Sequence, residues 1–105
     1  MTMVIYKILR PAEWAELEAW GETPGSPDDR RDGFVHFSTE AQLPGTLARH
    51  FAGETGLLLV AVDADAVGPA LRWEPSRGGE AFPHLHRSLA RADLLWCRPL
   101  AEGLP

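Results

Sequence analysis

The segment DGFVHFST, residues 32–39, sets a histidine in an apolar, strand-like run and follows it with two hydroxyl side chains. Successive residues of a strand point to opposite sides. With Val35 and Phe37 packed in a core, His36 and Ser38 face the other way together, about 7 Å apart. The strand leads into a helix, whose first-turn amides lack partners and can hold an anionic or polar ligand group. The same residues also admit a structural reading, in which Ser38 caps the helix and His36 bonds a neighbouring carbonyl. Thr39 followed by Gln42 resembles a capping box, with Ser38 as the alternative cap.

A second polar set stands out in the C-terminal half. Glu74 closes LRWE, and RGG follows, where Gly78 and Gly79 let the backbone approach a ligand closely. His84 and His86 in FPHLH share one face if that segment is extended. Together with His36 and Glu74 they could be assembled into the metal site of a His-based hydrolase, although no local zinc spacing such as H-E-x-x-H occurs. The serine-hydrolase elbow, the Walker A loop and the Rossmann glycine pattern are all absent. Cys97 lies inside an apolar strand and reads as an inert thiol. Arg72, Arg77, Arg87, Arg91 and Arg98 all fall in the last third. They form either a cationic patch beside a pocket for a phosphate-bearing small molecule or a solvated face.

These groups need elements to hold them. MVIYKIL (3–9) reads as a strand, rich in β-branched and aromatic residues. RPAEWAELEAWG reads as a helix: Pro11 suits its first turn, Glu13 and Glu16 its positive end, and Gly21 its stop. Trp14, Leu17 and Trp20 form one apolar stripe, which predicts both tryptophans in the core. GETPGSPDDRRDG reads as a loop, either a flap over a site or an inert connector. A short strand FVHF follows, then a helix through STEAQLPGTLARHFAG, with Leu43, Leu47 and Phe51 facing inward and regular turns starting near residue 44. GLLLVAVD is apolar enough for a strand covered on both faces. LRWE and LLWCRPL add two strands, and FPHLH is a strand or an ordered loop. The order β-α-loop-β-α-β-β-β-β predicts an α+β domain with two main helices and a mixed or antiparallel sheet.

At 105 residues the chain is expected to form one domain, 1–105, able to bury roughly two thirds of its unfolded surface. Apolar residues make up 45% and charged residues 24%, so neither disulfides nor a structural metal are needed for folding. A single cysteine rules out an internal disulfide and fits a reducing compartment. MTMVIYKILR lacks the charged and apolar regions of a secretory signal, and no run approaches the ~18 apolar residues of a membrane span. A cytoplasmic protein without membrane association is the expectation. The net charge of −5 argues against nonspecific nucleic-acid binding.

The blocks DGFVHFSTEAQL, TLARHF, LLLVAVD, LRWE and FPHLH, in that order, resemble the domain-of-unknown-function family numbered 952 over essentially the whole chain. That family is similar in fold to the ADP-ribosyltransferase superfamily, which includes the RNA 2′-phosphotransferases. The resemblance implies a split, half-open sheet core with a cleft for NAD or a related nucleotide. It further implies ADP-ribosyl or phosphate transfer, or a binding module that has kept the cleft without turnover. In the superfamily a histidine, followed two residues later by a small residue, bonds an NAD ribose hydroxyl, and His36 and Ser38 match that spacing. Glu74 matches the catalytic glutamate by order along the chain. The implied catalytic residues are thus Glu74 and His36, and the implied cofactor-binding residues are His36, Ser38, Thr39, Arg72, Arg77, His84 and His86. Arg72 or Arg77 would hold the pyrophosphate. After FPH the family usually continues with an aliphatic residue, tyrosine and glycine. Here His86 stands for the aromatic and Arg87 for the glycine.

Overall fold

A computed structural model describes residues 3–105, except that the side chain of Arg77 lies outside the described residues. Eight strands and three α-helices follow in the order β1 (Val4–Leu9), α1 (Pro11–Trp20), β2 (Glu22–Thr23), α2 (Pro27–Asp32), β3 (Val35–His36), α3 (Leu43–His50), β4 (Leu58–Asp63), β5 (Leu71–Pro75), β6 (Ala81–Leu85), β7 (Leu89–Ala90) and β8 (Leu94–Pro99). They build an α+β domain with three small sheets, ordered β1-β4-β8, β3-β6-β5 and β2-β7. Every pairing is antiparallel, which decides between the mixed and antiparallel alternatives. The two three-stranded sheets join where Tyr6 and Ser38 exchange both backbone N–H···O bonds at 2.8 Å.

The apolar strand β4 lies at the centre of its sheet and is covered on both faces. Leu59 and Ala61 enter one cluster with Tyr6, Ile8, Leu43 and Phe51. Val60 and Val62 enter another with Ile5, Leu9, Leu17, Val35 and Phe37. This is the two-faced burial that its continuous apolar run predicts. Among the described residues no helix is long and apolar enough to cross a membrane.

Helix α1 starts and stops as its sequence predicts. Glu13 accepts the Arg10 N–H at 3.0 Å, and Gly21 turns left-handed at φ 77° to donate back to Leu17 O. Its stripe is narrower than expected. Leu17 is buried and Trp14 half-buried, but Trp20 is 71% exposed. A helix turns about 100° per residue, so positions three apart drift by about 60° and Trp20 stands about 120° round from Trp14.

The stretch read as a loop is a larger departure. It pairs as β2 with β7 and then forms α2, capped reciprocally at its start. Ser26 Oγ accepts the Asp29 N–H at 3.1 Å, and Asp29 Oδ2 accepts the Ser26 N–H at 2.9 Å. Pro27 opens the helix and Gly33 closes it at φ 83°. Six residues are too few to show a hydrophobic period, so only the cap chemistry announces this helix. Helix α3 begins at Leu43 behind the expected box, with Thr39 N–H donating to Gln42 Oε1 and Gln42 N–H to Thr39 Oγ1. Ser38 does not serve as the cap; its Oγ lies 2.8 Å from Thr46 Oγ1.

Candidate functional site

The register of β3-β6-β5 decides which side chains meet. His36 pairs with His84, and His84 with Arg72. Residues directly opposite share a face, so these three stand side by side, with Phe34, Glu74, Phe82 and His86 two positions along the same face. Val35 and Phe37, on the reverse face, are buried in the core. Phe34 fits among the imidazoles: it stacks on His84 at 4.2 Å between centroids and touches His36 at 4.6 Å and His86 at 5.0 Å.

Each imidazole is tied to a carboxylate. Asp29 Oδ1 lies 2.5 Å from His36 Nδ1 and also accepts the His36 backbone N–H at 3.2 Å. This geometry assigns the Nδ1 proton to His36. Asp32 Oδ2, one helical turn further along α2, lies 3.2 Å from His36 Nε2. The second oxygen of Asp29 takes Lys7 Nζ at 2.7 Å and the Ser26 amide at 2.9 Å. Asp29 is 1% exposed and Lys7 6%. Burial alone would raise the Asp29 pKa, but His36, the Lys7 ammonium and the Ser26 amide together hold it far below the ordinary carboxylate range. Across the sheet, Glu74 Oε1 accepts from His86 Nε2 at 2.7 Å and His84 Nδ1 at 2.9 Å. These two bonds lower the Glu74 pKa. Burial, helped by the neighbouring His36 and His86, lowers that of His84 against the raising pull of Glu74, so the ring is neutral at pH 7. Its Nε2 is buried and has no hydrogen-bond partner among the described residues.

Gly25 makes the Asp29 arrangement possible. Its φ is +94°, and a Cβ there would stand 2.1 Å from Asp29 Oδ2. Gly25→Ala is therefore expected to lower stability by more than about 1 kcal/mol, read as a lower urea midpoint. An unchanged midpoint would show that the Asp29 pocket has room to yield.

A cavity of about 290 Å³ opens beside this face, walled by β1, the end of β3, α2 and the C-terminal turn of α3. Of the sequence-predicted residues, His36, Ser38 and His84 wall it. Glu74 does not; it stands behind, bonded to His84 and His86. Thr39 is engaged in the capping box, and Arg72 is exposed on β5 outside the wall. His86, in the place of the usual aromatic, turns its Nε2 to Glu74. The Arg77 side chain lies outside the described residues. Among the described residues no three His, Cys, Asp or Glu side chains are grouped to hold a metal ion. Burial and then Glu18 push the Cys97 thiol up in pKa, away from the reactive thiolate.

The cavity's cations come from elsewhere in the chain. Lys7 is paired with Asp29, Arg10 with Glu54, and Arg31 with Asp28 and Asp32. Arg49, in the last turn of α3, has no carboxylate partner among the described residues. Sequence reading missed Lys7, Asp29, Asp32 and Arg49. Two of them had a signal: S-P-D-D marks Asp29 as a cap residue, and a lysine inside VIYKIL requires a buried counter-charge. Arg49 has none.

A family profile described as "Protein of unknown function (DUF952)" matches residues 8–97. The fold is similar to the crystal structure of protein CC0527 from Caulobacter crescentus, 44% identical, covering 91% of this chain and 84% of that one at a TM-score of 0.87. A double mutant of CC0527 matches with the same values. The solution NMR structure of CC0527 covers 97% and 90% of the two chains at a TM-score of 0.81. No curated protein matches.

Proposed function

The chain belongs to the DUF952 family, and from that premise we propose that its cleft takes a ribonucleotide ligand of the NAD class. The observation that carries this reading is the convergence of His36, Ser38 and His84 on one cavity that is also lined by Arg10 and Arg49. A ribose offers hydroxyls to the imidazoles and the Ser38 hydroxyl, and a diphosphate offers charge to the arginines. The cavity, about 290 Å³, is at the lower edge of the range for small-molecule sites, ~300–1,000 Å³. It suits one nucleoside half, with the rest of a dinucleotide lying across the open mouth. The ADP-ribosyltransferase-like architecture is supported by two antiparallel three-stranded sheets that join at Tyr6 and Ser38, with residues of both lining the cleft.

NAD, when bound, would supply a nicotinamide–ribose bond whose electron pair leaves with nicotinamide while water or an acceptor hydroxyl bonds the ribose carbon, so that positive charge develops on the ribose in between. His36, held by Asp29, orients a ribose hydroxyl, and Asp32 offsets charge at the cleft edge. A second reading, a binding module without turnover, is favoured by one feature: Glu74 stands outside the cavity wall. Titration of NAD by calorimetry, with a nicotinamide-release assay in parallel, separates the two. Binding is expected for the wild type and about tenfold weaker for His36→Ala, the value of one good hydrogen bond. Binding with release supports transfer, and binding alone supports the module. No heat with NAD removes the nucleotide reading.

A further inference from the structure

We infer that Glu74 is a positioning residue that acts on the cleft through His84, fixing the tautomer whose bare Nε2 accepts a hydrogen bond from a ligand hydroxyl or amide N–H. The inference rests on the cleft being a ligand site, and it replaces direct contact of the Glu74 carboxylate with the reacting atoms. Three observations carry it. Glu74 is absent from the cavity wall while His84 is part of it. Glu74 Oε1 lies 2.9 Å from His84 Nδ1, so the carboxylate, which can only accept, assigns the ring proton to Nδ1. His84 is 3% exposed and its Nε2 is a buried nitrogen without a partner among the described residues.

The surroundings of the ring fit that role. Phe34 stacks on it at an interplanar angle of 20°, which fixes the ring plane. His86 Nε2 donates to the same Glu74 oxygen at 2.7 Å and so holds the carboxylate from its other side. A buried acceptor left bare is destabilising, and a ligand donor relieves that loss on binding. Both a ribose hydroxyl and a carboxamide have that donor chemistry, and two ligands distinguish them: ADP-ribose carries the hydroxyls without the carboxamide, and nicotinamide the reverse.

The test is long-range 1H–15N NMR of the labelled full chain at about pH 7, where the tautomers are resolved, with His84→Phe to assign the ring. The Nδ1–H tautomer of His84 is expected in the wild type and in Glu74→Gln, whose amide oxygen still accepts. It is expected to be lost in Glu74→Leu, while the His36 signals stay in place as a check on folding. Whichever of the two ligands binds is expected to move the Nε2 resonance of His84. Its affinity is expected to fall about tenfold in Glu74→Leu and His84→Phe and to stay within about twofold in Glu74→Gln. An Nε2–H or doubly protonated His84, a tautomer indifferent to Glu74→Leu, or a bound ligand that leaves Nε2 unmoved would each overturn the inference. Equal losses in the Gln and Leu variants would do the same, because they would assign the effect to the carboxylate charge. If neither ligand binds the wild type, the nucleotide reading fails, and the tautomer measurement alone decides the role of Glu74.

Discussion

Replacing Asp29 with alanine is expected to lower stability by about 3–5 kcal/mol, the range for breaking a buried ion pair from one side. The loss is large because the partner is left without compensation. Lys7 is 6% exposed, in the middle of β1, and Asp29 at 2.7 Å is its salt-bridge partner among the described residues. Asp29 also satisfies the Ser26 amide and both nitrogens that His36 turns toward it, so four donors lose their acceptor together. Asp29→Asn keeps the shape but not the charge, and is expected to fall between alanine and wild type. The double variant Lys7→Met with Asp29→Leu is expected to recover part of the loss, since apolar groups of similar volume often replace a buried pair without penalty. Urea midpoints measure all four chains. A loss below about 1 kcal/mol for Asp29→Ala would mean that Lys7 finds water in the folded state.

The same carboxylate gives the protein an acid limit with a definite sign. Asp29 is held far below the ordinary range when folded, whereas in the unfolded chain it titrates near the reference value of about 3.9. Below that value the unfolded state takes up a proton that the folded state refuses, so stability falls as the pH falls. The Asp29 contribution is complete above about pH 4 and is lost as the pH drops toward the depressed folded value. Urea midpoints of the wild type are expected to decline more steeply below about pH 4 than those of Asp29→Asn. Parallel slopes would assign the acid limit to other carboxylates.

How far this arrangement can be read from sequence depends on where its parts lie. The strand face of His36 and Ser38 followed from alternation alone, because Val35 and Phe37 are unambiguous core residues. The α+β order, the two-faced strand β4 and the box of Thr39 with Gln42 were equally local. What is not local is register. That His84 lies beside His36, and that Glu74 bonds His84 instead of facing the cavity, depends on strand pairings no spacing encodes. The arginines show the same limit: those concentrated in the last third look like a phosphate patch, yet the cavity draws Arg10, Arg31 and Arg49 from the first half. Asp29 lies between these cases. Its cap signature was visible, but its reach to His36 needs α2 folded back against β3.

Phe37→Ala is expected to cost about 3–5 kcal/mol, as much as the ion pair, through a different mechanism. Phe37 is 2% exposed and packs in the cluster of Ile5, Leu9, Leu17, Val35 and Val60, so its removal leaves a cavity bounded by four elements. The neighbouring Ser38→Ala removes one hydroxyl contact, to Thr46, and is expected to cost about 1 kcal/mol. Adjacent positions thus divide the two duties of this segment. The reverse face carries stability and the open face carries the candidate site. With this alternation, Ser38→Ala changes ligand affinity and lowers the urea midpoint far less than Phe37→Ala does. Phe37→Ala lowers the midpoint while the Nδ1–H bond of His36 to Asp29 on α2 persists in the folded fraction. Comparable midpoints for the two variants would mean that Phe37 is not the anchor that turns His36 and Ser38 outward, and the face assignment behind the cleft would fail with it.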